Sequence, residues 1–327
     1  MQLRRSSMRK IFSTKTHWFV ALLLAAALLF TATGCNPADD DDDDDNSSSS
    51  STASTTDATL PSSDGTDDDD DSSSLPTTYA TLPSSVGTNE LSGKSWTYRN
   101  ETWTFNSDGT ATFTENLNSI YTYNYTYNSN SKLVYLGLKS ASFSNGSENF
   151  SYSSVAEVKS QAEAMGRSGD ELERDVAQAA LEFATKLVFR YDIDDTAKTL
   201  KLIWYFDGEL PTSAGMSSYG SSTSSIYIVI DDGGFEIRDY SSGSSKYKIY
   251  PTFSNGSFSG TLFHGDTSLG TAAGTYTTSG TGTTNSSVTL TFTALPSSFT
   301  ILSTNTAYKL KLSDETKFHT YTYTLQQ

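Results

Sequence analysis

Cysteine is nearly absent: Cys35 is the only one in 327 residues. An internal disulfide is therefore excluded, and the chain must hold its fold by packing alone. Histidine is almost as scarce. Beyond residue 35 only His264 and His319 remain, and zinc sites draw on about three or four N/S ligands, so no zinc site is expected. Lysine and arginine are missing between residues 36 and 89, and no basic patch follows. Nucleic acid is therefore not an expected partner. Glycine-rich phosphate loops and a G-x-S-x-G elbow are also missing. His264, Asp266 and a serine make a triad only on paper. Asp192-x-Asp194-x-Thr196 opens like a calcium loop, but Ala197 stands where the turn needs glycine, and no matching distal glutamate follows. Carboxylate pairs borne on strands obey no spacing rule, so the sequence neither places nor excludes them. The expectation is a protein with no catalytic constellation, no cofactor and no metal; an exported hydrolase ranks third among the readings.

What is present begins with five positive charges (Arg4, Arg5, Arg9, Lys10, Lys15) ahead of thirteen apolar residues, Trp18 to Phe30. That is the plan of a secretory signal peptide. A spanning helix needs roughly 20 apolar residues, so this run is too short for one. The run ends in Thr33-Gly34-Cys35. This end resembles the lipobox of bacterial lipoproteins, although Ala32 stands where that family usually has leucine. The resemblance implies that residues 1–35 are a lipoprotein signal peptide and that Cys35 is acylated. It further implies a membrane anchor through those acyl chains, in the cell envelope, at the outer membrane or cell surface rather than the inner membrane. Each buried CH₂ of an acyl chain contributes ~0.8 kcal/mol, so a multiply acylated cysteine anchors without a spanning segment.

Residues 36–89 hold 14 acids and no base, in Asp runs and Ser/Thr tracts. Such a composition buries almost nothing and reads as a disordered, acidic tether. The rest of the chain, Glu90 to Gln327, carries 17 positive and 24 negative charges, or −7, an ordinary balance for a folded region.

From Leu91 the apolar residues alternate, the period of half-buried strands. Turn chemistry separates them, as at Asn106-Ser107-Asp108-Gly109 and Asp231-Asp232-Gly233-Gly234. One helical insertion interrupts, at about 154–187. Ser154/Glu157 and Ser168/Glu171 have the capping-box spacing, and Leu172, Val176, Ala179, Ala180, Phe183 and Leu187 form an apolar stripe. Residues 166–169 are expected to split the segment into two helices. The fold class is all-β with this one insertion, an antiparallel barrel or sandwich. Two β domains are expected, at 90–208 and 226–327, joined by a Gly/Ser linker at 209–225. One sheet running through both halves is the alternative.

Gly93-Lys94-Ser95-Trp96, then Trp103-Thr104-Phe105 leading into Asn106-Ser107-Asp108-Gly109, resembles the opening of bacterial lipocalin-like domains. Phe253 to Phe258 and Gly274 to Thr277 echo it. The tryptophan sits one residue later than in that family, and the helical insertion precedes the last two strands of the first half. The resemblance implies small barrels that enclose an apolar ligand.

Aromatic residues are abundant, with 19 Tyr and 17 Phe. Tyr121, Tyr123, Tyr125 and Tyr127 alternate along one strand and share a face, opposite Ile120, Thr122, Asn124 and Thr126. That polar opposite face turns the tyrosines inward. They and Trp103 are the candidate ligand-binding residues, with core packing as the plainer role for the same side chains. The expected function is a lipid-anchored binding protein for a small apolar ligand or an extracellular macromolecule. A structural or adhesive surface protein without a small ligand is the alternative.

Overall fold

The computed structural model describes residues 79–115, 118–144, 149–209, 216–219, 226–231, 234–240, 245–282, 286–312 and 320–326. Cys35, the expected signal peptide, the expected tether as far as residue 78, and His319 lie outside the described residues.

Five strands open the fold: β1 (Lys94–Tyr98), β2 (Glu101–Phe105), β3 (Thr110–Glu115), β4 (Ser119–Asn128) and β5 (Leu133–Ser144). A short β6 (Asn149–Tyr152) leads into helices α1 (Val155–Ala164) and α2 (Gly169–Ala184). Strands β7 (Lys186–Asp194) and β8 (Thr199–Trp204) complete this half. The turns form as their residues dictate. In the β2–β3 turn, Asp108 accepts a hydrogen bond from the Thr110 amide at 2.9 Å, and Gly109 takes φ +84°. Between β7 and β8, Asp194 accepts from the amides of Thr196 and Ala197 at 2.9 and 2.8 Å, so the calcium-like spacing there is a capped hairpin.

The second half contributes β9 (Met216–Tyr219), β10 (Ile226–Asp231), β11 (Gly234–Asp239), β12 (Ser245–Ile249), β13 (Thr252–Ser254), β14 (Ser257–His264), β15 (Thr267–Ser279), β16 (Ser287–Ala294) and β17 (Ala307–Leu312). The final strand, β18 (Thr320–Leu325), does not continue that series. It pairs with β1 on one side and β8 on the other. The first sheet then closes through β4–β5 into an eight-stranded up-and-down antiparallel barrel, β1-β2-β3-β4-β5-β7-β8-β18, with β6 as a spare edge. The second sheet runs β9-β10-β11-β12-β14-β15-β16-β17 and bends back through β12–β14 into a nearly closed barrel, with β13 spare.

Three sequence expectations change here. The strand at the C-terminal end of the 226–327 half belongs to the first sheet, so the second barrel is inserted between β8 and β18 of the first. The expected 209–225 linker contains a strand, Met216–Tyr219. Residues 79–89, expected as tether, are folded against the first barrel. There the Ala80 amide bonds the Phe183 carbonyl at 2.8 Å, and Val86 bridges Asn128.

The helices form where the sequence places them, split around Gly166. Ser154 caps α1 by accepting from the Glu157 amide, while Glu157 reaches back to the Ser153 amide at 2.6 Å. The second box does not form: Ser168 makes no side-chain cap, and Glu171 pairs with Arg167 instead. Val176, Ala179 and Phe183 are buried as the stripe requires, whereas Leu187 belongs to β7. Helix α2 also buries Arg174 and Asp175, joined at 2.7 Å, with Asp266 of the second barrel on the other side of the guanidinium. Asp170, Glu173 and Gln178 hydrogen-bond Ser268, Thr261 and Tyr250, so α2 ties the barrels together.

The second barrel is filled by aliphatic and phenylalanine side chains, including Ile228, Ile237, Leu290 and Phe292. Phe206, just past β8, is fully buried in this cluster. At Gly274 a Cβ would lie 2.6 Å from the Phe258 ring, so only glycine admits that ring.

Candidate functional site

The inward face of the first barrel is built in rungs, each set by strand register. One rung is Trp96, Trp103, Phe113, Tyr121 and Ala141 across β1 to β5. Below it stand Lys94, Phe105, Ala111, Tyr123 and Leu138. Above it stand Tyr98, Glu101, Glu115, Ser119 and Phe143.

The proposed ligand-binding residues fall on this face. Trp103, Tyr121, Tyr123 and Tyr125 are all buried. Tyr127 departs from the row: it is half-buried, and its hydroxyl donates to the Gly87 carbonyl at 3.2 Å. The others pack ring on ring. The Trp103 centroid lies 4.8 Å from Phe113, 5.7 Å from Tyr123 and 5.8 Å from Phe105. Tyr125 meets Phe105 edge-on at 5.3 Å and donates its hydroxyl to the Asn106 carbonyl. These spacings are those of aromatic side chains satisfying one another. The chain of rings then leaves the barrel through Tyr121, Phe143, Tyr152 and Phe183, each step within about 6 Å, and so seats α2 against the barrel end.

The upper rung differs in chemistry. Glu101 and Glu115 are direct cross-strand partners facing inward, an arrangement that like charges disfavour. Glu115 is buried, at 4% exposure. Burial, and then the neighbouring Glu115, push the Glu101 carboxyl above the usual carboxylate value, while a hydrogen bond from Tyr323 and the charge of Arg99 pull the other way. The Tyr323 hydroxyl sits 3.4 Å from Glu101, and burial raises that phenol well above its ordinary value. Tyr98 meets Tyr323 edge-on at 6.2 Å and is itself 40% exposed. Ser119, 1% exposed, has no hydrogen-bond partner at Oγ. The sequence reading missed this rung, because residues 101, 115 and 119 share no motif; only the register unites them.

His264 is exposed and stacks on Tyr247 at 4.6 Å, and Asp266 engages Arg174, so these two do not form a triad with a serine. Among the described residues no group of three or more His, Cys, Asp or Glu is placed to hold a metal.

No protein-family model matches the chain, and neither the curated proteins nor the solved structures contain a match.

Proposed function

We propose that this chain is an exported, lipid-anchored binding protein of the cell envelope. Cys35 carries the acyl chains, the acidic segment lifts the folded part from the membrane, and the first barrel binds at its polar end instead of within its aromatic interior. The signal-peptide plan, the lipobox-like end and the tether composition support the anchoring part. The acid rung carries the binding part. Two facing glutamates at the end of a barrel lined mainly by aromatic rings work against stability, and natural folds keep such departures mainly where function uses them. The ring-on-ring packing of Trp103 with Phe113 and Tyr123 supports placing the ligand outside that interior.

Two measurements test the reading. Cys35→Ser is expected to move the protein out of the detergent phase in a two-phase partition; retention there, with no acyl mass on the wild type, removes the anchor. Decanoic acid is expected to leave the tryptophan emission of the barrel unchanged. A saturable shift returns the ligand to the interior.

The outer face favours a second reading, that of an adhesive surface. Ser95, Thr104, Thr112 and Thr122 run side by side across β1 to β4, with Ser95 and Thr104 hydroxyls 2.9 Å apart. A hydroxyl array of this kind suits contact with polar macromolecules and needs no cavity.

A further inference from the structure

We propose that the upper rung of the first barrel binds a primary alkylammonium group, held by Glu101, Glu115 and Ser119 with Tyr98 as its aromatic wall. The inference rests on reading this barrel end as a binding end, and names the class of ligand.

Glu101, Glu115 and Ser119 occupy consecutive strands at one level, so neighbouring Cβ atoms stand roughly 5 Å apart. Ser119 is the independent observation. A buried hydroxyl without a partner is rare in folded proteins, and this one lies directly across from Glu115, with Glu101 one strand further along the same rung. The combination points to a donor that comes from outside the chain. A primary ammonium brings three N–H donors and one positive charge. The rung offers three acceptors in matching number: two carboxylates and one hydroxyl.

Tyr98 completes the fit. Its ring is exposed at the rim and already carries the Arg99 guanidinium at 5.1 Å, so it is a ring on which a cation sits. A calcium ion suits the rung poorly, because it takes about 6–8 oxygen ligands. A proton on Glu101, whose carboxyl is raised above its ordinary value, also relieves the repulsion, and it is what the ammonium displaces.

The groups facing Glu101 are Glu115 from β3, Tyr98 and Arg99 from β1 and its turn, and Tyr323 from β18. With the Glu101 carboxyl held above its ordinary value of 4.5, binding is expected to weaken as pH falls toward that region, while the ammonium stays charged throughout.

The test is calorimetric titration of the full acylated protein in nonionic detergent at about 0.15 M salt, which screens loose attraction to the exposed aspartates. The probes are n-butylammonium chloride, 1-butanol as its uncharged match, and calcium chloride. One saturable site is expected for n-butylammonium and none for the other two. Glu101→Gln and Ser119→Ala should each weaken it by roughly tenfold to a hundredfold, the usual effect of losing a hydrogen bond to a charged group. Tyr98→Ala, at a position 40% exposed, should weaken it too. Glu236→Gln, in the second barrel, should leave it unchanged. Binding that survives Glu101→Gln overturns the proposal, as does a site that takes calcium in place of the ammonium. If 1-butanol saturates the barrel end while n-butylammonium does not, the ammonium assignment falls and the binding-end reading stands. If no probe binds, both fall.

Discussion

At the scale of single residues, the first barrel divides into side chains that fill and side chains that strain. The tyrosine row fills, and period two along Ile120 to Tyr127 makes its inward direction legible in the sequence. That periodicity ran one residue too far, because Tyr127 lies at the strand's end, where its hydroxyl reaches Gly87. Glu101 and Glu115 strain, and nothing in the sequence joins them; antiparallel register alone makes them neighbours. Buried Arg174 was equally invisible, since one of its partners, Asp266, comes from the other barrel. The acid pair sets a pH dependence. Glu101 holds its proton more tightly in the folded state than in the unfolded chain, where 4.5 applies. Its contribution to stability is therefore full below that value and is lost as pH rises through the raised one. Glu101→Gln should raise the melting temperature at pH 8, with the gain vanishing near pH 4. A gain independent of pH shows that ionisation of Glu101 is not the cause.

At the scale of elements, the helices were the most legible part of the chain. A capping box and an apolar stripe at helical spacing placed both within a few residues. The stripe overreached at Leu187, because an apolar residue in the next strand continues the helical period by coincidence. The short strands β6, β9 and β13 were not legible. They are three or four residues of mostly Ser, Thr, Asn and aromatic character, too brief for a period to declare itself. Helix α2 gives the sharpest prediction at this scale. Phe183 is 1% exposed and meets Tyr79 and Tyr152 edge-on at 5.6 and 6.0 Å. Phe183→Ala should cost ~3–5 kcal/mol, the usual penalty for truncating a fully buried Phe. Thermal unfolding checks this: a change below about 1 kcal/mol, within the range of surface substitutions, shows the helix to be a loosely held cover. The folded stretch 79–89 adds that a broad protease should trim the chain to near residue 79, not to residue 90.

At the scale of the whole molecule, the antiparallel all-β class was readable from strand spacing, with barrel and sandwich both open, and the nesting was not. Alternation identifies Thr320 to Leu325 as a strand but is silent on its neighbours, and proximity in sequence argues for the wrong barrel. Nesting makes a prediction of its own. Strands β8 and β18 are adjacent and antiparallel, with Ile203 opposite Thr320, so a short hairpin turn could join them directly. Replacing residues 207–318 with an Asn-Gly turn should leave a first barrel that still folds, with a cooperative melt and protected amides in β1 to β5. It should be less stable than the whole, because α2 loses Ser268, Thr261 and Asp266 as partners. Aggregation of this shortened chain, with no native-like melt, would show that the outer barrel depends on its guest.

The same nesting imposes a timetable. A chain made and delivered N-terminus first presents seven strands of the outer barrel early and withholds the eighth until residues 320–325 arrive. Meanwhile β1 and β8 offer open edges of the kind that invite pairing with another chain. The inner barrel has all its strands before then and can fold first. Any molecule cut short ahead of Thr320 is left with an unsealed outer barrel and two sticky edges. Such a molecule is a ready substrate for proteases, so the topology itself distinguishes a chain that carries β18 from one that lacks it.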